Sequence, residues 1–268
     1  MNRLILCLLF ATLAAPLSAQ LEPPNEAGVT MGHVHLNVSD PDLYRQLWID
    51  HFGAVPLAKE GLNGVKLPGM IVLFRKQVPT GDAIGTALDH FGLKVRNRDE
   101  LLEKWKAAGQ EVGRVFTGSE GFPNAYVLGP DGFRMELQQD VDLPAIAVTQ
   151  HLHYRTAKHL ELQQWYQDNF GAVFSHRGSH DGVDLPGINF SLDPLRRPRD
   201  ADLPTKGRLI DHIGFEVNNL EAFCKQLEAK GVVFDQPYRK IERLNLGLAF
   251  LTDPSGVYVE LTEGLDQF

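Results

Sequence analysis

The amino-acid sequence repeats itself, and this repeat restricts the fold more than any other feature does. Three segments of the first half return 118 residues later: 32–36 as 150–154, 52–55 as 170–173 and 64–69 as 182–187. Two later segments return at spacings of 122 and 124: 89–92 as 211–214, and 130–136 as 254–260. The chain therefore contains two copies of one unit, and small loop insertions explain the drift in spacing.

The first 19 residues lie outside both copies. Arg3 is followed by a run from Leu4 to Leu13 that is apolar except for Thr12, and Pro16, Ser18 and Ala19 then give a helix break and small residues before Gln20, which is the organisation of a secretory signal peptide. The run is too short to cross a bilayer, although an uncleaved anchor is the alternative interpretation. We predict cleavage before Gln20 and export, to the periplasm or to the medium.

The rest of the chain has the composition of a globular protein, with 43% hydrophobic and 22% charged residues over the whole sequence. We predict a first domain over 29–141 and a second over 147–265. The formal net charge of −8 disfavours binding to nucleic acid or to anionic membranes. We therefore expect a small-molecule partner and a monomer or homodimer.

Each copy divides into two halves with the same order of elements. Residues 33–38 alternate in polarity, which predicts a half-buried strand with His33 and His35 on one face. Asp40 and Pro41 then begin a helix that Gly53 ends. A strand, a helix and a short meander recur four times in this way, so the sequence predicts an α+β chain.

Six residues combine metal-ligand chemistry with equivalent positions in the two copies. Four histidines begin the first strands of the four halves, and two glutamates lie on the last strands of the copies: His33, His90 and Glu136 in the first, His151, His212 and Glu260 in the second. Two imidazoles and a carboxylate suit a divalent ion and leave coordination positions open for a substrate. We predict a divalent metal ion, with iron, manganese, zinc and nickel all compatible.

Three motifs carry a family resemblance: His-Val-His-Leu-Asn-Val-Ser-Asp from residue 33, Asp-His-Phe-Gly-Leu-Lys-Val from residue 89, and Asp-Pro-Ser-Gly-Val-Tyr-Val-Glu-Leu from residue 253. The sequence resembles the vicinal oxygen chelate superfamily, which includes glyoxalase I, bleomycin-binding proteins, fosfomycin-resistance transferases and extradiol dioxygenases. The resemblance implies two tandem domains of paired βαβββ modules, each a curved, partly closed mixed sheet around a metal. It also implies an ion that chelates adjacent substrate oxygens, as a glyoxalase-like lyase or isomerase or as a dioxygenase.

The sequence departs from two members of that superfamily. The fourth ligand of glyoxalase I, a Glu, has no counterpart in residues 70–74 or 188–192. Extradiol dioxygenases place a Tyr ten residues before the ligand Glu, where this chain has Phe250 in the second copy and Tyr126 in the first. By analogy with fused dioxygenases, we predict that both modules of one site come from the same copy, so that His33 shares a site with Glu136.

Three further side chains are candidates for catalysis: His35, His153 and Tyr126. His35 and His153 share a strand face with a predicted ligand, so each is a candidate general base. Arg196, Arg197 and Arg199 form a loop cluster that we interpret as a solvated surface. The sequence leaves two alternatives to an enzyme with two active sites. One is a metal-free binding protein of the same fold, and the other is an enzyme in which only one copy is catalytic.

Overall fold

The computed structural model describes residues 20–57, 61–195 and 203–267. The predicted signal peptide, 1–19, and the three arginines of the loop cluster lie outside these residues. The described chain contains sixteen strands and four α-helices in four consecutive modules. None of the helices in this part of the chain has the length and apolar character needed to cross a membrane.

Modules 1 and 2 belong to the first copy, and modules 3 and 4 to the second. Module 1 contains β1 Val29–Val38, α1 Pro41–Phe52, β2 Val55–Pro56, β3 Gly64–Leu67 and β4 Met70–Lys76. Module 2 contains β5 Leu88–Val95, α2 Arg98–Ala107, β6 Glu111–Thr117, β7 Pro123–Leu128 and β8 Arg134–Gln139. Module 3 contains β9 Ala147–Arg155, α3 His159–Phe170, β10 Val173–Arg177, β11 His180–Leu185 and β12 Ile188–Asp193. Module 4 contains β13 Ile210–Val217, α4 Leu220–Ala229, β14 Phe234–Ile241, β15 Leu246–Thr252 and β16 Tyr258–Glu263.

The strands form two mixed eight-stranded sheets, and each sheet combines modules of different copies. The 1/4 sheet has the order β14-β15-β16-β13-β1-β4-β3-β2, and the 2/3 sheet has the order β10-β11-β12-β9-β5-β8-β7-β6. The modules are joined by antiparallel pairing of β1 with β13 and of β5 with β9. Neither sheet closes into a barrel. The α+β class and the βαβββ modules are confirmed, whereas the prediction that both modules of a sheet come from one copy is wrong.

The helices explain how the modules of one copy remain together. The Trp48 ring of α1 stacks on Phe91 of β5, with ring centroids 6.1 Å apart, and the Phe52 ring packs on Trp105 of α2. In the second copy, Phe170 of α3 makes equivalent contacts with module 4. Modules of one copy therefore pack through an apolar helix layer, and this leaves the edges of β1 and β5 free to pair with strands of the other copy.

The predicted helix signals act as expected in α1. The side chain of Asp40 accepts hydrogen bonds from two backbone N–H groups of the first turn, and Pro41 occupies the first helical position. Gly53 ends the helix with φ of +66°, a conformation that glycine adopts without steric cost. Val34 and Leu36 of β1 lie in the hydrophobic core, and His33 and His35 lie on the opposite face of the strand, so local signals position the site.

Candidate metal centres

The 1/4 site is the group formed by His33 and His35 of β1, His212 of β13 and Glu260 of β16. His33 Nε2 and His212 Nε2 lie 3.0 and 2.9 Å from the same oxygen, Glu260 Oε2. One ligand atom from each of the four residues lies within 4.8 Å of the others. The structure therefore joins His33 to Glu260, and the predicted grouping of His33 with His90 and Glu136 is wrong.

The 2/3 site is the corresponding group of His90 of β5, Glu136 of β8 and His151 and His153 of β9. His90 Nε2 lies 3.0 Å from Glu136 Oε2, and His151 Nε2 lies 4.0 Å from the same oxygen. His90, His151 and Glu136 are all buried. All six predicted ligands thus assemble into two His-His-Glu groups, but the first histidine of each copy, His33 or His151, joins the glutamate of the other copy.

A glycine between two ligand strands allows each group to converge. In the 1/4 sheet, Gly214 pairs with His33 on one side and with Glu260 on the other. A Cβ atom at Gly214 would lie 1.9 Å from His33 Cε1, so any side chain there would occupy the place of the imidazole. Gly92 has the same position between His151 and Glu136, with a distance of 2.2 Å to His151 Cε1. The glycine of the Asp-His-x-Gly motif therefore makes room for a ligand from the neighbouring strand.

The aspartate of the same motif orients one ligand in each site. His212 Nδ1 is 2.6 Å from Asp211 Oδ1, and His90 Nδ1 is 2.5 Å from Asp89 Oδ1. An Nδ1–H donated to aspartate leaves the Nε2 lone pair of a neutral imidazole directed at the glutamate. These aspartates were not among the predicted site residues, although each precedes a candidate ligand histidine in both copies of the repeat.

Charge effects in both sites favour a positive species beside the glutamate. Burial opposes the charged form of His212, but the hydrogen bonds of its ring to the Asp211 and Glu260 carboxylates outweigh this effect and raise the pKa of His212. Burial alone would raise the pKa of Glu260, yet the two imidazoles beside it lower that pKa. Glu260 is therefore ionised. Its negative charge repels the Nε2 lone pair of a neutral His212, so a proton or a cation between the two atoms stabilises the site.

The donor set fits a divalent metal ion. The ligand atoms are imidazole nitrogens and carboxylate oxygens, which suit iron, manganese, zinc and nickel. His151 Nε2 is buried and has no hydrogen-bond partner among the described residues, which is costly unless another species binds it. In the 2/3 site, Asn124 also donates to Glu136 Oε1 at 2.6 Å and fixes the carboxylate. Metal ligation by the six residues stays a prediction.

The two candidate general bases have different surroundings. His153 Nε2 lies 3.1 Å from Asp193 Oδ2, whose other oxygen lies 2.9 Å from His180 Nδ1. Burial lowers the pKa of His153 to about 3, although the hydrogen bond with Asp193 acts in the opposite direction. Neither ring nitrogen of His35 has a hydrogen-bond partner among the described residues, and Arg75 stands at the repeat position of Asp193. Among the described residues, the 2/3 site thus has a candidate general base held by a carboxylate, whereas the candidate base of the 1/4 site has no such partner.

Asp193 and His180 were missed by the sequence analysis. Asp193 lies one residue beyond the stretch 188–192 that lacks a carboxylate, and it shares the concave face of β12 with Ser191, which pairs with His153. It contacts His153 and His180 and is not grouped with Glu136. The second copy therefore has no fourth ligand at the glyoxalase position, but it has a carboxylate that holds a neighbouring histidine.

Tyr126, the third catalytic candidate, lies beside the 2/3 site. It pairs with Glu136 across β7 and β8, and its ring centroid is 5.2 Å from that of His90. Burial raises the pKa of the Tyr126 hydroxyl, so the group is protonated at neutral pH. Phe250 has the equivalent position beside His212. The Tyr126 phenol and the His153 imidazole held by Asp193 therefore occur at the same site.

Comparisons with known proteins agree with this geometry. Residues 150–261 match the sequence model of the Glyoxalase/Bleomycin resistance protein/Dioxygenase superfamily. Residues 150–261 belong to this superfamily. The resemblance inferred from the motifs is therefore confirmed, and the two sheets repeat its module topology. A search of curated proteins finds no significant match to the sequence.

Solved structures extend the likeness to nearly the whole chain. Glyoxalase I from Zea mays is 17% identical, with a TM-score of 0.66 over 89% of this chain and 94% of its own. A putative dioxygenase from Bacillus subtilis subsp. subtilis is 12% identical, with a TM-score of 0.63 over 91% of this chain and 86% of its own. At such identities the likeness establishes the fold, a tandem arrangement of glyoxalase-type modules.

Proposed function

We propose that the protein is a metal-dependent enzyme that acts on a small molecule with two adjacent oxygens, as a lyase or isomerase or as a dioxygenase. The observation that carries this proposal is the convergence of two imidazole nitrogens on one buried carboxylate oxygen in the 1/4 site, at 2.9 and 3.0 Å. The 2/3 site repeats the same three residue types. Such a donor set leaves coordination positions for a chelating substrate.

The residues of each site would have two roles, metal binding and orientation of the ligands. His33, His212 and Glu260 would hold the ion of the 1/4 site, and the corresponding residues would hold that of the 2/3 site. A bound divalent ion supplies Lewis acidity to substrate oxygens. Asp211 and Asp89 keep one imidazole of each site in the tautomer whose Nε2 faces inward. The protein thus orients its ligands before a substrate arrives.

We further propose that turnover depends more on the 2/3 site. His153 is held there by Asp193, its Nδ1 has no partner among the described residues, and Tyr126 lies against His90. These groups are able to form hydrogen bonds with a bound substrate: the free Nδ1 of neutral His153 as an acceptor and the Tyr126 hydroxyl as a donor. A larger loss of kcat/KM from H90A than from H212A would support this proposal, and the reverse order would contradict it.

The first experiment is anaerobic purification followed by elemental analysis. Loaded protein is then screened for oxygen uptake and for conversion of 2-oxoaldehydes. Less than about 0.2 metal equivalents per chain, with no rise in Tm from added manganese, iron, zinc or nickel, would contradict the enzyme proposal. That result would favour a metal-free binding protein of the same fold.

We also propose that the mature protein functions outside the cytoplasm, on the basis of the signal-like organisation of residues 1–19. Cell fractionation with antibodies to the chain tests this. Recovery of the uncleaved protein in the cytoplasmic fraction would contradict it.

A further inference from the structure

A cavity of about 260 Å³ opens directly beside the 1/4 site. His212 lines its inner end, and Phe250, Tyr258, Gln236, Arg75 and Lys206 line its walls and mouth. Because His212 is a predicted ligand, a molecule in this cavity lies within reach of the metal. The cavity has the position of a substrate-binding space for the proposed function.

One wall of the cavity is aromatic and flat. The rings of Phe250 and Tyr258 stack with centroids 5.0 Å apart and an interplanar angle of 14°. Both rings meet the His212 imidazole nearly edge-on, at centroid distances of 5.6 and 5.9 Å. A flat apolar group packs well on such a surface, while its edge points towards the metal centre.

The mouth of the cavity carries two positive charges that lack a negative partner. Arg75 and Lys206 form no ion pair within the described part of the chain, and Lys206 Nζ lies 4.4 Å from the Tyr258 ring centroid. Asp211, the one carboxylate that lines the cavity, already accepts hydrogen bonds from His212, Asn37 and the Gly207 N–H. An anionic group at the mouth would therefore meet unpaired cations.

The 2/3 site has different chemistry at the same repeat positions. Asp193 replaces Arg75, and Arg134 replaces Tyr258. Arg134 pairs there with Asp89 at 2.5 Å, and Arg155 pairs with Asp193 at 3.2 Å. Tyr126 stacks with Phe116, and Arg114 lies over the Phe116 ring. The 1/4 site thus differs in its two cavity-lining cations, Arg75 and Lys206, which form no ion pair in the described part of the chain.

From these observations we infer that the 1/4 site binds a small, flat acid: a molecule with adjacent chelating oxygens, an unsaturated or aromatic body, and a carboxylate. The adjacent oxygens face the metal position beside His212, the flat body packs on Phe250 and Tyr258, and the carboxylate meets Arg75 and Lys206. This inference rests on the proposed metal-dependent function, since it names the ligand class of one of the two sites.

The test compares catechol with 3,4-dihydroxybenzoate, which differ by one carboxylate. Both are titrated calorimetrically into full-length mature protein loaded with zinc, which has no redox chemistry. The H90A substitution removes binding at the 2/3 site. We expect the acid to bind at least about tenfold more tightly than catechol, as charge-assisted hydrogen bonds allow.

The substitutions Arg75→Met and Lys206→Met together should reduce that ratio to about threefold or less. The matched control is Lys76→Met with Lys106→Met, which removes the same charge from exposed positions outside the cavity and should leave the ratio unchanged. An equal ratio in the Arg75/Lys206 variant and in its parent would overturn the inference.

A second arm separates this inference from the proposed function. If the protein binds no zinc, the metal proposal fails, and the cavity is tested alone with 4-hydroxybenzoate and metal-free protein by NMR titration. Shifts that saturate, with a Kd several-fold weaker in the Arg75/Lys206 variant than in the Lys76/Lys106 control, support the anion site. Equal Kd values, or no binding at all, overturn it.

Discussion

Because each predicted metal site takes ligands from both copies, two double variants should differ in the number of metal ions that they bind. His33→Ala with Glu260→Gln changes two ligands of one site, because these residues lie 3.0 Å apart although 227 positions separate them in the sequence. His33→Ala with His90→Ala changes one ligand in each site. We expect two bound ions per chain in the parent, one in H33A/E260Q and none in H33A/H90A.

The size of the effect follows from mass action. An ion present at about 100 times its Kd stabilises the folded chain by about 2.7 kcal/mol per site. H33A/E260Q should keep the contribution of the 2/3 site, whereas H33A/H90A should lose both contributions. The metal-free stabilities should be similar, because each variant changes two buried polar side chains with costs of about 1–3 kcal/mol apiece.

The assay is elemental analysis after loading with manganese or zinc and removal of excess ion, together with thermal melting with and without metal. Circular dichroism confirms that both variants are folded. An exchanged arrangement is refuted if H33A/E260Q binds no ion and H33A/H90A binds one, since that pattern belongs to sites built within each copy. Two ions in both variants would instead show that the ions bind elsewhere.

Three other outcomes are expected. Gly214→Ala places a methyl group 1.9 Å from His33 Cε1, so it should lower unfolding free energy by about 1–3 kcal/mol and remove one metal equivalent, as measured by denaturant titration and elemental analysis. Asp211→Asn removes the carboxylate that orients His212 and should weaken metal binding at that site about 10- to 100-fold in chelator competition; an unchanged affinity would contradict the orienting role. Mass spectrometry of the exported chain should find Gln20 as the first residue, and a retained residue 1–19 segment would show that the signal interpretation is wrong.

The fold was readable from local sequence patterns because those patterns have local causes. Alternation over 33–38 places the histidines on one face of a strand, and Asp40, Pro41 and Gly53 fix the ends of the next helix. Because the same strand and helix signals recur in every module, an element recognised in one module is also recognised in the other three. The six candidate ligands were found for the same reason.

The pairing of modules was not readable, because the two copies carry equivalent residues at equivalent positions. His33 and His151 are interchangeable in the pattern, as are Gly92 and Gly214, so either pairing would bring two imidazoles and a glutamate together. The difference arises from the helix layer, where the Trp48 and Phe91 rings pack within one copy. Apolar positions in a sequence indicate burial without indicating which surface covers them.

The surroundings of the sites were missed for a different reason. Asp193 differs in type from its counterpart Arg75, so a search for residues shared by the copies passes over it. Asn124, which holds Glu136, has Leu248 as its counterpart and was invisible to the same search. Residues shared by the two copies indicate the common metal ligands, whereas the residues that distinguish the two sites, such as Asp193 and Asn124, differ between the copies.

Because the sheets are exchanged between copies, the two sites can form at different times as the chain is synthesised. His90 and Glu136 are 46 positions apart, whereas His33 and Glu260 are 227 apart. Closing the longer loop costs about 1.4 kcal/mol more in chain entropy, and it must wait until the last strand has emerged. The 2/3 site can form on a nascent chain, while the edge of β1 opposite β4 must stay unpaired until β13 arrives, so the protein depends on its last module to cover one edge of its first strand.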